Sequence, residues 1–332
     1  MNSNTIPLGS LYWGSHVVSV AATLGIADLL KDGPKSCAEL AQATGTHAPS
    51  LYRVMRALAC IGVFAESDDG RFSLNPAAEC LQARAPGSIR DAAIMLGQEW
   101  HWRAWGDVLH SVRTGQCAFE HVFGMELFEY FEQHPAAAAI FNDAMTSLTS
   151  QQQEAVVSSY DFSGISKIVD VGGGHGTLLA SILKAYPGMS GILFDLPSVV
   201  AGARQRIQAD GLIGRCEVVG GDFFQSVPEG GEGYLLKQVL HDWDDDHAVA
   251  ILKNCRRGIG HTGKLLVVEM VIPPGNAPSL AKLLDLLMLV WTHGGRERTE
   301  TEYRALFGSA GFALTRNVPT ACPLSVLEAA RA

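Results

Sequence analysis

Lys167-Ile168-Val169-Asp170-Val171-Gly172-Gly173-Gly174-His175-Gly176-Thr177-Leu178-Leu179 is the stretch that decides the fold. Ile168, Val169 and Val171, with one acid among them, lead into a run of glycines, and Thr177 to Ala185 continues as an apolar helical segment. That pattern predicts a buried parallel strand, a tight turn and a helix start. Glycines let the backbone pass close to a ligand where a Cβ would block the approach or forbid positive φ. The turn ends on free N–H groups at a helix N-terminus. A glycine run after a strand is by itself a weak signal, because a plain connection needs no more. Here a second strand follows after a helix-sized gap, Gly191-Ile192-Leu193-Phe194-Asp195-Leu196-Pro197, and it ends in an acid. This is the spacing at which an Asp reaches a ribose. The glycine pattern is Gly172-x-Gly174-x-Gly176 with Thr at 177, so the dinucleotide fingerprint G-x-G-x-x-G is not met. The expected ligand is a nucleoside without a pyrophosphate.

From Lys167 onward strands and helices alternate. Strands are expected at Val169–Val171, Ile192–Phe194, Glu217–Val219, Tyr234–Leu240 and Leu265–Val268. Phe312–Val318 and Pro323–Ala329 are expected to close the chain as an antiparallel hairpin on one edge. The fold class is α/β, a doubly wound Rossmann-like sheet, with its ligand at the carboxyl ends of the strands. Just past those ends lie Gly221-Asp222-Phe223-Phe224, Leu240-His241-Asp242-Trp243 and Glu269, and a final cluster, Trp291 to Thr299 with Glu297 in it, precedes a helix. An Asp beside two Phe offers an acceptor for an amino group and a face for a purine. A His with two acids at strand ends offers a base with orienting partners. Asp244 to Asp246 reads more simply as a solvated helix start.

The 332 residues, 47% of them hydrophobic, suffice for two domains. A net charge of −9 argues against nucleic-acid and anionic-membrane partners. No apolar run reaches membrane-spanning length, and Met1 to Ser10 lacks a signal-peptide pattern. Seven scattered cysteines without a Cys-x-x-Cys pair disfavour disulfides and a zinc cluster. These features predict a reduced, cytoplasmic, soluble protein.

Three domains are expected: residues 1–87, 88–160 and 161–332. In the first, Leu11–Leu30 reads as a helical run, Ser36 to Glu39 as a capping box and Pro49–Ile61 as a helix. Val63–Glu66 and Arg71–Leu74 around Asp68-Asp69-Gly70 read as a hairpin, which completes a winged-helix-like domain. Between Leu11 and Ala85 lie six Lys/Arg and seven Asp/Glu, so the positive footprint of a DNA reader is absent. A ligand-sensing regulator is thereby disfavoured. The apolar excess around Trp13 and Val17 to Leu30 favours dimerisation, with ordinary core as the simpler alternative. In the second domain, Ser88–Gly115 reads as one long helix, Phe119–Phe131 as another and Pro135–Tyr160 as a third. Their aromatic clusters are either core or pocket wall, and Trp102, Phe141 and Met145 are the pocket candidates.

Taken in order, Val169 to Gly176, Asp195-Leu196-Pro197, Gly221 to Phe224, Leu240 to Trp243 and Gly295-Arg296-Glu297-Arg298-Thr299 carry a family likeness. The chain resembles the S-adenosylmethionine-dependent O-methyltransferases of the caffeate and hydroxyindole type, in particular the bacterial members that act on phenols in natural-product pathways. The resemblance covers nearly the whole chain, including the winged-helix-like dimerisation region. It implies a homodimer that takes S-adenosylmethionine, releases S-adenosylhomocysteine and needs no metal. By it, Gly172 and Gly174 approach the cofactor, Asp195 holds the ribose, Asp222 and Phe223 bind the adenine, and Lys237 lies beside it. His241 is the implied general base, flanked by Glu269 and Glu297. Asp242 and Trp291 join the acceptor-site candidates. With a reference pKa of about 6.5, His241 is expected to be unprotonated and ready to take the proton of a phenol with pKa about 10. An NAD-dependent oxidoreductase, or a relative acting on nitrogen or carbon, is the competing expectation.

Overall fold

The computed structural model describes residues 11–83 and 85–332. The reading of Met1 to Ser10 lies outside them, as does Arg84 of the charge balance. The described chain packs as two units: residues up to Arg103 with His134–Gln151, and Ala104–Gln133 with Gln152–Ala332. The helices expected to link two domains are therefore shared between the units.

The first unit begins with α1 (Leu11–Thr23) and α2 (Ile26–Leu29). The single run expected here breaks at Gly25, which sits at φ 65. Strand β1 (Lys35–Ser36) leads into α3 (Cys37–Thr44), followed by α4 (Ala48–Cys60). The capping box is present: Ser36 Oγ accepts from the Glu39 N–H at 3.3 Å, and the Ser36 N–H donates to Glu39 Oε2 at 2.7 Å. Strands β2 (Ala65–Glu66) and β3 (Arg71–Ser73) form the hairpin, and β1 adds to it in the order β1-β3-β2. Ile26, Leu40, Met55, Leu58 and Phe72 are the fully buried centre of this unit.

Next come α5 (Pro76–Glu79), α6 (Arg90–Leu96), α7 (Glu99–Gly106) and α8 (Val108–Thr114). The long helix expected over Ser88–Gly115 is thus three short ones. The first break falls at Gly97, where α6 lies against α1 so closely that a Cβ would collide with the Ser19 side chain. Phe119–Phe131 likewise divides into α9 (Ala118–Phe123) and α10 (Leu127–Gln133), because Gly124 takes φ 71 and ends α9. The long α11 (Pro135–Ser159) follows as expected.

The second unit holds β4 (Lys167–Val171), α12 (Thr177–Ala185), β5 (Ser190–Asp195), α13 (Pro197–Ala209) and β6 (Cys216–Gly220). It continues with β7 (Gly233–Lys237), α14 (Asp245–Gly258), β8 (Lys264–Met270), α15 (Leu280–Trp291) and α16 (Glu300–Ser309), and closes with β9 (Phe312–Pro319) and β10 (Leu324–Arg331). The sheet order is β6-β5-β4-β7-β8-β10-β9. The first five strands run parallel, and the terminal hairpin pairs antiparallel on β8. Side chains alternate across the sheet. Val169, Val171 and Leu236 pack with α14 and α16 on one face, while Ile168, Leu193 and Leu235 pack with α12 and α13 on the other. The chain runs from β4 outward to β5 and β6 on one side, then returns to β7 on the other side of β4 and continues to β8, so the order reverses between β4 and β7 and opens a crevice beyond their carboxyl ends.

Strand β7 is shorter than the expected Tyr234–Leu240. Gln238 takes φ 51, the one positive value among the described non-glycine residues, and turns the chain out of the sheet. A single 3-10 turn, Leu240–Asp242, follows. Among the described residues no helix is long and apolar enough to cross a membrane.

Candidate active site

Three glycines shape the turn after β4. Gly172, Gly174 and Gly176 have φ of 70, 58 and 74, values that favour glycine. The walls of the turn are tight. A Cβ on Gly172 would lie 2.7 Å from Val239, and one on Gly173 would lie 2.6 Å from the Asp170 carboxylate. At Gly174 the same position meets nothing within 4 Å, so this side of the turn is open. The Gly174 N–H donates to Asp195 Oδ2 at 2.7 Å, and the Leu196 N–H donates to Asp195 Oδ1 at 2.7 Å. Asp195 therefore holds the glycine turn while its carboxylate stands at the end of β5. Burial pushes its carboxyl up against the pull of those two donors.

Beneath the turn, burial and the Asp195 charge lift Asp170 to about 7, with Lys237 partly opposing. Burial lowers Lys237 to about 8, against the pull of Glu269 and Asp170. Phe223 brings its ring edge within 3.8 Å of the Gly172 Cβ position, so these two candidates converge. Asp222 accepts from the Phe224 N–H at 2.8 Å and from Gln225 Nε2 at 3.3 Å, which makes it the cap of its own turn. Buried Asn254 donates to the carbonyls of Phe223 and Phe224 at 2.7 and 2.9 Å. The sequence reading missed Asn254. Its signal was a polar side chain on the apolar face of α14.

The acid–base cluster forms around the 3-10 turn. His241 is buried, with Nδ1 2.7 Å from Glu297 Oε1 and 3.7 Å from Glu269 Oε2. On its other side Nε2 lies 3.6 Å from Asp242 Oδ1. Glu269, fully buried on β8, accepts from the N–H groups of Val239 and Leu240 at 3.0 Å each. It thereby fixes the backbone that carries His241. Glu297 is set in turn by its N–H, which donates to Asp285 at 3.0 Å.

Arg298, also fully buried, donates to the carbonyl of Leu240 at 2.9 Å and to that of Trp243 at 2.8 Å, and pairs with Asp245 at 2.9 Å. One guanidinium thus spans the ends of the turn that presents the imidazole. Gly295 packs against the same turn, where a Cβ would meet the carbonyl oxygens of His241 and Asp242 at 2.6 Å. The sequence showed Gly295 and Arg298 as letters of a motif and gave neither a role. Asp244 to Asp246 form the start of α14 as expected, with Asp244 as its N-cap.

The protonation of His241 differs from the expectation. Burial alone would disfavour the imidazolium, but Glu269, Asp242 and Glu297 outweigh it and raise His241 to about 10. Burial lifts Asp242 to about 6 and pushes Glu269 above the usual carboxylate range, against the pull of His241 on both. At neutral pH the resting imidazole therefore carries its proton, where the reference value had made it neutral.

Within the second unit a pocket adjoins this turn. Asp242, Trp243, Trp291, Phe128, Glu120 and Glu126 are among its lining residues. Phe128 and Trp243 stack at 6.2 Å with an interplanar angle of 22°. Of the sequence candidates for the acceptor, Asp242 and Trp291 lie here, whereas Trp102, Phe141 and Met145 belong to the first unit. Two groups of side chains place possible metal-donor atoms within 4.8 Å of one another: His241, Glu269 and Glu297, and Asp107, His110 and His121. In the first, Glu297 and Glu269 already serve the imidazole and the backbone beneath it.

A doubly wound sheet, a glycine turn open at Gly174 with an acid at the next strand end, and a buried His–carboxylate cluster on the same crest define a nucleoside-cofactor enzyme with acid–base chemistry. The comparisons with known proteins fix the class. The family model for an O-methyltransferase domain matches residues 102–313, and that for an O-methyltransferase dimerisation domain matches residues 8–84. The chain belongs to this O-methyltransferase family. It is 48% identical to phenazine O-methyltransferase PhzM of Lysobacter antibioticus over 98% of this chain and 97% of that one. The crystal structure of LaPhzM superposes with a TM-score of 0.93 at 48% identity, over 98% of this chain and 100% of that one. Human N-acetylserotonin methyltransferase, solved with S-adenosylmethionine, superposes with a TM-score of 0.90 at 27% identity over 100% and 99%. The protein is an S-adenosylmethionine-dependent O-methyltransferase, and the alternative of a nicotinamide oxidoreductase falls.

Proposed function

We propose that the acceptor is a phenolic hydroxyl of a small aromatic molecule of natural-product type, and that His241 receives its proton. The observation that carries this reading is the geometry at His241. Glu297 occupies Nδ1, so Nε2 is left on the side of Asp242, which lines the pocket. The naming of the phenazine relative supports a planar, hydroxylated aromatic acceptor.

The residues present fit the cofactor. The open side of Gly174 gives room for close approach, while Val239 closes the turn at Gly172. Gly172 and Gly174 would flank the amino-acid end, Asp195 the ribose, and Asp222 and Phe223 the adenine, with Lys237 beside it. When bound, S-adenosylmethionine supplies an electrophilic sulfonium methyl, so we assign no metal to the reaction. The chain's own tasks are to hold the acceptor oxygen in line and to manage one proton.

That proton has a defined route. The surrounding carboxylates raise the imidazolium, so Nε2 is a stronger base for the phenol proton than a free imidazole would be. Because the resting His241 is protonated, the site first releases one proton to solvent. Either the imidazolium loses it, or the acceptor enters as phenolate and pairs with the imidazolium. Glu297 and Glu269 hold the ring in one orientation and stabilise its charge, the role an acid plays in a catalytic triad.

We further propose that Asp242 and Trp291 contact the acceptor, and that Trp102, Phe141 and Met145 do so as well, on the sequence reading alone. The match to a dimerisation domain, with Tyr12 and Trp13 exposed on α1, supports a homodimer. All seven cysteines are free, which suits a reducing cytoplasm. Neither a nucleic acid nor a membrane is assigned as partner. On the sequence reading alone, we propose a dimerisation region over residues 1–87, linking helices over 88–160 and a catalytic region over 161–332.

The deciding experiment is transfer of labelled methyl from S-adenosylmethionine to phenols, catechols, hydroxyindoles and hydroxylated polycyclic aromatics. Label on a phenolic oxygen is the expected result. No label on oxygen, with S-adenosylhomocysteine still bound, would overturn the acceptor reading and leave the cofactor site standing.

A further inference from the structure

We propose that Asp107, His110 and His121 form a second site, apart from the methyl-transfer machinery, that takes a divalent transition-metal ion of the zinc type. Each of the three offers a donor atom, and these atoms lie within 4.8 Å of one another. They come from two neighbouring helices of the second unit: Asp107 directly precedes α8, His110 lies three residues on, and His121 belongs to α9. Side chains three apart on a helix stand on one face, so Asp107 and His110 present their donors together. The cluster shares no residue with the glycine turn or the His241 group, so an ion here stands outside the reaction.

Two features of the cluster lack a purely structural explanation. Asp107 occupies the N-cap position of α8, where a carboxylate ordinarily accepts from its own helix, yet its side chain makes no capping bond. Its Oδ2 lies instead 2.6 Å from His121 Nδ1, across to the next helix. The second feature is His110 Nε2, which is shielded from solvent and has no hydrogen-bond partner among the described residues. A buried polar atom left unpaired is costly, and a metal ion would satisfy it. The two imidazoles stack with centroids 3.8 Å apart and an interplanar angle of 6°. Two imidazolium rings at that spacing repel, whereas two neutral rings can share one cation.

The spacing is close to what an ion needs. Nitrogen ligands on tetrahedral zinc lie about 2.0–2.1 Å from the metal and hence about 3.3 Å from each other. Stacked rings do not yet aim both lone pairs at one point. The required change is a turn of the exposed His121 ring about its own side-chain torsions, out of the stack. The donor set selects the class of ion. Imidazole nitrogen suits Zn²⁺, Ni²⁺ and Cu²⁺, whereas Mg²⁺ and Ca²⁺ require oxygen ligands and would find a single carboxylate here. Three protein ligands leave a fourth position for water.

The test is calorimetric titration of the tag-free, chelator-treated protein with Zn²⁺, and with Mg²⁺ in parallel, under saturating S-adenosylhomocysteine. A single Zn²⁺ per chain and no response to Mg²⁺ are expected. His121→Ala, Asp107→Asn and His110→Ala should each weaken Zn²⁺ binding by about tenfold or more. His241→Gln should leave it unchanged, which separates this site from the buried His241, Glu269 and Glu297 group. Unchanged S-adenosylhomocysteine affinity shows each variant folded, and the exposed His121 decides the matter if His110→Ala is not. Co²⁺ in place of Zn²⁺ should give visible absorption without a thiolate charge-transfer band. Absence of Zn²⁺ binding, binding that His121→Ala and Asp107→Asn leave unmoved, an equal response to Mg²⁺, loss of binding in His241→Gln, or a thiolate band would each overturn the proposal.

Discussion

His241 carries the sharpest lesson at the scale of a single residue. Its reference pKa made it an unprotonated base, whereas three surrounding carboxylates make it an imidazolium with a value of about 10. The sign follows from linkage: reaction requires loss of one proton from the acceptor–His241 pair, and that loss becomes easier as pH rises. The acidic limb of kcat/KM against pH is therefore expected above pH 7, and a limb at about 6.5, the unperturbed imidazole value, would show that the carboxylates do not act on His241. Replacement of His241 by Ala is expected to lower kcat by about 10²-fold or more while S-adenosylhomocysteine still binds. Because Ala leaves Glu297 and Glu269 buried without their partner, a loss of stability accompanies it. His241→Gln, which retains a donor for Glu297, separates the two effects: retained turnover in that variant would remove His241 as the base. His241 and Glu269 were legible because each stands just past a predicted strand end, and Glu297 because it falls in a polar cluster ahead of a helix. Arg298 and Asn254 were not, since their work is to satisfy backbone carbonyls, and which carbonyls face which side chain is set by tertiary packing.

Among elements, the glycine turn after β4 was the most readable, and Asp195 shows what the reading lacked. It was expected to face the ribose. What the structure shows is Asp195 clamping the turn, through the Gly174 N–H at 2.7 Å. Asp195→Ala is accordingly expected to weaken cofactor binding through two routes, loss of a ribose acceptor and release of the turn. Asp195→Asn, which keeps one oxygen, is expected to lose less. Calorimetric titration with S-adenosylhomocysteine checks both variants, and unchanged affinity in Asp195→Ala would sink the assignment. The helices were read less well than the strands. The parallel strands announce themselves as short apolar runs bounded by glycine, whereas an aromatic-rich helical stretch looks continuous until a glycine is forced to positive φ. Gly25 and Gly124 end helices in this way, and Gly97 ends one by close approach to Ser19. Gln238 was invisible for a related reason: nothing about a glutamine after an apolar strand marks a left-handed residue, and such strain persists only where its surroundings impose it. Its neighbour Glu269 supplies that constraint by taking the N–H groups of Val239 and Leu240.

At the scale of the whole molecule, the apolar excess noted near the N-terminus resolves into named surface residues. Trp13 is 69% exposed and Tyr12 56% exposed on α1. A lone exposed aromatic is unremarkable, but two adjacent ones, with Val20 on the same helix and Tyr52 and Ile61 elsewhere in that unit also exposed, exceed what a solvated domain surface needs. The chain also matches a dimerisation domain over residues 8–84, so a partner subunit is the expected cover. The charge balance of this region had already set DNA aside, and its small sheet is built from strands of two and three residues that leave little edge to extend. A charge at Trp13, exposed in the single chain, is costly only where a partner covers it. Trp13→Glu is therefore expected to shift the protein from dimer to monomer in sedimentation velocity while its helical circular dichroism is retained. A variant that remains dimeric would place the interface elsewhere, and the exposed leucines of α15, Leu280, Leu283 and Leu286, are the next surface to substitute.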